Sequence, residues 1–212
     1  MECCFRRRRK EARPGEIVTA ALETFVEKGF AATRLDDVAA RAGVSKGTVY
    51  LYFASKEALF KAAVEAAMTP AVEAAEALAA DSERPAADLL RCFVQGWWQM
   101  VGSTTLGGLP KLLVAESGNF PEIAQWFHES IIRRAQKALA RIIEQGMASG
   151  EFRPVDADIT ARIVFAPMFS YLVWQRAFGN WMCGLPEPER FFADTVDLLI
   201  HGLAQPSQDA RP

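Results

Sequence analysis

Residues 33–57, TRLDDVAARAGVSKGTVYLYFASKE, decide the fold. They read as two short helices joined by a tight turn, followed by the start of a third. Thr33 is an N-cap with Asp36 three residues on, the spacing of a capping-box acid. Asp36 and Asp37 in the first turn suit the positive end of the helix dipole. Val38, Ala39 and Ala42 form an apolar stripe, and Ala39 is small where a second helix must cross closely. Gly43 supplies the positive φ at which a helix stops, and Val44 plugs the corner. Ser45 caps the second helix, whose inner face is Val49 and Phe53. Lys46, Gly47, Thr48, Tyr50 and Tyr52 are left facing outward, with no acid among them.

Such a face suits a helix that lies in a DNA major groove. Lys46 offers a cation to phosphate or guanine. Gly47 has no side chain, so the backbone can approach DNA closely. Thr48 can hydrogen-bond a base edge or touch a thymine methyl. The hydroxyls of Tyr50 and Tyr52 suit phosphate oxygens, which position a protein without reading sequence. Lys56 follows Ser55, the N-cap of the third helix, where a helix N-terminus favours a phosphate. Arg34 can reach the flanking backbone. An ordinary helical hairpin with a solvated lysine and two half-buried tyrosines would explain any one of these residues. The joint pattern favours DNA.

The stretch 16–60, EIVTAALETFVEKGFAATRLDDVAARAGVSKGTVYLYFASKEALF, carries the pattern A-x-x-x-F-x-x-x-G-F/Y-x-x-T. V-A-x-x-A-G-V-S-x-G-x-V-Y-x-Y-F-x-S-K-E-x-L then follows. The chain thereby resembles the tetracycline-repressor (TetR) family of bacterial transcriptional regulators. The resemblance implies an all-α homodimer with a three-helix DNA-binding head and a larger helical ligand-binding and dimerisation body. Family DNA contacts, carried across, fall on Ser45, Lys46, Gly47, Thr48, Tyr50, Tyr52 and Lys56, with Thr33 and Arg34 at the entrance to the motif. Arg34 departs from the small hydroxyl residue more usual there. The implied mechanism places two recognition helices one DNA turn apart, about 34–36 Å, on a palindromic double-stranded operator. A small-molecule effector that prefers a different head spacing then releases the DNA.

Composition agrees. Half of the 212 residues are apolar, and no run of apolar residues is long enough for a transmembrane span. MECCFRRRRKEARP lacks the apolar stretch of a secretory signal, so a cytoplasmic protein is expected. The net charge of −2 conceals a split: residues 1–60 carry +3 and the remainder −5. The positive excess lies with the motif, as an electrostatic footprint on DNA requires. Much of it is the run Arg6–Lys10, read either as an arm that touches the phosphates or minor groove or as a solvated tail. Cys3, Cys4, Cys92 and Cys183 have no zinc-finger spacing, and His128 and His201 do not complete one. No metal or cofactor is expected. A glycine-rich phosphate loop and a Ser/His/Asp constellation are both missing, which argues against an enzyme. The alternatives kept open are a helix-turn-helix module that binds protein and a redox-responsive regulator using Cys3 and Cys4.

Helical periodicity continues after residue 55 and gives about nine helices in all. Residues 1–13 are expected as a disordered basic arm, 14–60 as the DNA-binding domain, 61–205 as the body and 206–212 as a disordered tail. The helix that Ser55 opens runs to about Leu78 with Pro70 as a bend and connects head to body, and Asn119–Met147 reads as one long helix. All five tryptophans lie in the body. Trp97, Met100, Trp126, Phe127 and Met168 are candidates to line a pocket for a small apolar or aromatic effector, with core packing as the competing reading. Glu116 is either a polar group of that pocket or a structural one paired with Arg133 or Arg134. In the TetR family the last two long helices pair with their copies. The residues that would serve that purpose are Phe165, Phe169, Leu172, Phe191, Val196, Leu199 and Leu203.

Overall fold

The computed structural model describes residues 2–179, 181 and 184–205, the side chains of residues 2–13 excepted. The backbone of residues 2–13, expected as a disordered arm, is part of the first helix, while the side-chain roles expected of that arm and of Cys3 and Cys4, together with the polar tail and Cys183, fall outside the described residues. The helices are α1 (Glu2–Lys28), α2 (Leu35–Arg41), α3 (Lys46–Tyr52), α4 (Lys56–Ala79) and α5 (Ala86–Trp97). They continue as α6 (Leu109–Glu116), α7 (Pro121–Phe127), α8 (Arg133–Ala148), α9 (Ala157–Phe178) and α10 (Pro188–Leu203). A π turn at His128–Ile132 makes α7 and α8 one continuous run, so the described residues form nine helical rods, the expected number. A second π turn, Trp98–Gly102, extends α5. The fold is all-α; β structure among the described residues amounts to an isolated bridge between Phe152 and Ala204.

The chain divides into two compact units, one of residues 1–69 with 112–126 and one of 70–111 with 127–212. The first is built around a ring cluster. Phe25, Phe30 and Phe60 are fully buried, with centroids 5.2–5.5 Å apart. Ile17, Ala21, Val38, Ala39 and Val49 bring α1, α2 and α3 onto the same core. Ala39 is buried as its small size requires, and Gly43 takes φ +65° to end α2. Ser45 Oγ accepts from the Thr48 amide at 3.2 Å and caps α3. Ser55 does the same for α4 through Ala58. The cap of α2 lies one residue later than the sequence pattern places it. Arg34 is the N-cap residue, and its amide donates to Asp37 Oδ2 at 3.1 Å. Asp37 also pairs with Lys28; that ammonium, then the Arg34 amide, hold its carboxyl below the usual range.

The second unit has its own core of Leu89, Leu90, Phe93, Leu139, Ile142, Ile143 and Met168, drawn from α5, α8 and α9. Trp97, Trp98, Tyr171, Phe191 and Phe192 form an aromatic cluster at its edge, with centroid separations between 4.9 and 6.0 Å. Burial raises the Tyr171 phenol's pKa, and its hydroxyl donates to the Pro186 carbonyl at 2.8 Å. Helix α5 begins after Pro85 and is capped from afar. The Glu151 carboxylate accepts from the Ala86 and Ala87 amides at 2.7 and 2.8 Å, so an anion sits where the helix dipole favours it. Arg134 grips Glu76 through two guanidinium nitrogens at 2.8 and 2.9 Å.

Gly146 on α8 faces the buried Phe152, and a Cβ there would lie 2.2 Å from the ring. Gly146→Ala is therefore expected to destabilise this unit by about 1–3 kcal/mol, the usual range for overpacking a filled core. Circular dichroism would show a lower thermal midpoint; an unchanged midpoint would mean that the ring can swing aside.

Candidate functional site

Helices α2 and α3 cross through Ala39, and the turn at Gly43 sends α3 out with Val49 inward and fully buried. Ser45, Lys46, Gly47 and Tyr50 are exposed, and Thr48 and Tyr52 are half-buried at its margins. The outward face holds no carboxylate of its own. Its cation is pre-positioned by a neighbour: Lys46 Nζ lies 2.9 Å from Asp36 Oδ2 on α2. That hydrogen bond raises the lysine's pKa. Ser45 Oγ and Thr48 Oγ1 are 2.9 Å apart, so the two hydroxyls share one proton-donor position while the cap forms. Arg34, exposed at the start of α2, is the N-cap residue of the first motif helix, and no cap hydrogen bond is made by its side chain.

Two expected contacts have other employment. Thr33 is 1% exposed, and its hydroxyl donates to the Gly29 carbonyl at 2.6 Å. It ties the end of α1 together and is withdrawn from any phosphate. Lys56 donates to three backbone carbonyls, those of Phe30 at 2.9 Å and of Ala31 and Thr33 at 3.2 Å. Its ammonium also stands 4.6 Å from the Phe30 ring centroid. An ammonium has three protons, so a phosphate would have to displace one of these carbonyls. Glu116 joins the same turn from the other side, accepting from the Ala31 amide at 2.9 Å. It is structural, as one reading allowed, but its partner is a backbone amide and not Arg133 or Arg134. Spacing in the sequence offered no signal for that pairing, because 85 residues separate the two.

The body residues divide in a similar way. Met168 is fully buried and Phe127 is 5% exposed, so both are core. Trp126 belongs to the first unit, where the Lys61 ammonium lies 5.7 Å from its ring centroid. Trp97 packs edge-on against Phe192, and Met100 points outward. None of the six residues expected to bind an effector lines the cleft of about 670 Å³ in the second unit, between α5 and α10. Trp98 does, one residue from the expected Trp97, together with Arg91, Gln95, Glu189, Phe192 and Asp197. Trp98 Nε1 donates to Glu189 Oε1 at 3.2 Å. Of the residues expected at a dimer interface, Leu172, Val196 and Leu203 are buried within the chain itself. Phe165, Phe169, Phe191 and Leu199 are half-buried. The exposed apolar side chains on these helices are Ile159, Ile163, Trp174 and Phe178 on α9 and Leu198 on α10. Along α9 they form two pairs four residues apart, Ile159 with Ile163 and Trp174 with Phe178, about three turns from each other on one face, a pattern the apolar density of that helix hides in the sequence.

A tri-helical head with a capped, acid-free second motif helix defines a helix-turn-helix DNA-binding protein. The pattern of bacterial regulatory proteins of the tetR family matches residues 17–63. The AefR-like transcriptional repressor C-terminal domain matches residues 88–200, more than half of the chain. The chain belongs to the tetR family of transcriptional regulators, which are not enzymes. The HTH-type transcriptional regulator YfiR of Bacillus subtilis is 25% identical over 193 residues, 88% of this chain and 93% of that one. YerO of the same organism is 47% identical over 49 residues; there the match spans 23% of this chain but 17% of the relative. Among solved structures, Bacillus subtilis FadR in complex with stearoyl-CoA shares the fold at a TM-score of 0.74 and 19% identity. That alignment covers 89% of this chain and 98% of FadR. No helix among the described residues is long and apolar enough to cross a membrane.

The engagement of Lys56 generates a test. Lys56→Met keeps the stem but removes three charge-assisted donors, and about 1–3 kcal/mol of stability should be lost from the first unit. Calorimetry would register this as a lower melting temperature without DNA. A lysine held free for phosphate would instead leave melting untouched and flatten the salt dependence of DNA binding by about one unit.

Proposed function

We propose that the chain binds a palindromic double-stranded operator as a homodimer, represses transcription there, and is released by a small apolar or aromatic effector. The observation that carries the DNA half is Gly47. It lies in the first turn of α3 with no positive φ, and a Cβ there would meet Ser45 Oγ at an ordinary 3.8 Å. Nothing inside the chain needs a glycine at this position, although glycine weakens a helix by about 0.5–1 kcal/mol relative to alanine. An external backbone that must approach closely accounts for it. Lys46, Thr48, Tyr50 and Arg34 then serve as phosphate and base-edge contacts around the bare patch, with Ser45 and Tyr52 at its margins.

The dimer reading rests on the exposed apolar row of α9 and on Leu198. A second copy of the chain is the occupant, with Phe165, Phe169, Phe191 and Leu199 at the edge of the contact. The effector reading rests on the cleft beside Trp98 and on the similarity in fold to FadR, whose solved complex holds stearoyl-CoA. Release follows if the effector prefers a body conformation that alters the spacing of the two heads. Helix α4 is the lever, and the boundary between the two units falls at Thr69 and Pro70 within it.

Selection of bound duplexes from a random pool, followed by mobility-shift titration, tests the operator. An inverted repeat should emerge; a pool that stays random would remove the DNA reading. On that site Gly47→Ala should bind at least about tenfold more weakly, within the range of one lost base-pair recognition, while the free protein melts at the same or a higher temperature. Equal affinity would rule out the close approach. For the dimer, Ile163→Asp with Leu198→Asp should convert a species of twice the chain mass into a single-chain species in sedimentation equilibrium. Unaltered mass would place the interface elsewhere.

A further inference from the structure

On a helix that turns by about 100° per residue, Gly47 and Leu51 lie within about 20° of the direction opposite Val49. Val49 is fully buried, so these two positions are the centre of the outward face of α3. Tyr50 and Thr48 flank that line on either side. The side chain at the centre of that face is therefore not one of the polar residues. It is Leu51, 73% exposed, one turn after a glycine that leaves the helix surface bare. An isolated surface leucine is unremarkable on most helices. Here it occupies the centre of the face on which the DNA reading depends. The polar groups around it are already partly committed, Lys46 to Asp36 and Thr48 to Ser45.

We propose that Leu51 is a specificity-determining residue, and that it reads the C5-methyl group of a thymine in the major groove. The methyl is the one apolar feature of a major-groove edge, and it distinguishes T·A from the other pairs at that position. An isobutyl group can make no hydrogen bond, so it adds nothing against a guanine or adenine edge and leaves a desolvated polar edge unpaired. Gly47 complements it: a bare backbone lets α3 settle to the depth at which a side chain of leucine length touches a base. The inference rests on the DNA reading above and specifies what that face recognises.

The test uses the full chain and pools of random duplexes selected in parallel with wild type and Leu51→Ala. Alanine removes only an exposed side chain and is a good helix former, so α3 is retained. Wild type should enrich a site with a T·A preference at one position of each half that Leu51→Ala loses, while the other positions keep their preferences. Deoxyuridine at that thymine removes the methyl alone. It should weaken wild type by about fourfold per substitution, the effect of exposing one methyl group, and leave Leu51→Ala unaffected. The non-additivity of the two changes locates the contact. Identical base preferences in the two selections, or equal weakening of all sequences by Leu51→Ala, would overturn the proposal and leave the DNA reading intact. Failure of wild type to enrich any site would overturn both.

Discussion

The turn from Gly29 to Thr33 is the constraint on which the head depends. A helix end leaves carbonyls without partners, and burying them unpaired is costly. Here α1 stops at Gly29 with φ +86°, and the next residues present three carbonyls to one lysine from α4. Phe30 meanwhile drives its ring into the cluster with Phe25 and Phe60, and Phe120 packs on it at 4.7 Å. Glu116 takes the amide of Ala31 and the Thr33 hydroxyl closes back on Gly29. The direction in which α2 departs is set by this knot, and through Ala39 and Gly43 so is the attitude of α3.

The assignments that held were those written in local chemistry. Gly43, Ser45 and Ser55 each act within four residues of themselves, through a backbone angle or a cap, and such effects are visible in a sequence. Where two neighbours could do the same task, the pattern slipped by one. Thr33 has the side chain of a cap, yet its hydroxyl is drawn inward and Arg34 holds the N-cap position with Asp37 as its acid. In the body, the line of the cleft falls on Trp98 and not Trp97 for the same reason. The roles of Lys56 and Glu116 depend on partners 23 to 85 residues away, and no periodicity carries that information.

A different limit applies to α9 and α10. Apolar spacing tells that a helix has a greasy stripe, but α9 has two. Val164, Met168 and Leu172 lie on the stripe buried by this chain; Ile159, Ile163, Trp174 and Phe178 lie on the other. Only the path of the neighbouring helices decides which is which. Residues such as Leu172 and Val196 are therefore expected at an interface from the sequence, although the chain itself buries them. The same division appears on α3, where the side chains that hold the fold point one way and those left over, Gly47 and Leu51 above all, point the other.

The placement of Trp126 has an optical consequence. Four of the five indoles lie in the second unit, while Trp126 sits in the first with the Lys61 ammonium over its ring. A cation near an indole shifts its emission by favouring or opposing the movement of charge across the excited ring. A chain in which the other four tryptophans are replaced by phenylalanine would carry a native chromophore for the unit that contains α3. Its colour would follow the distance between α4 and α7, with no label added.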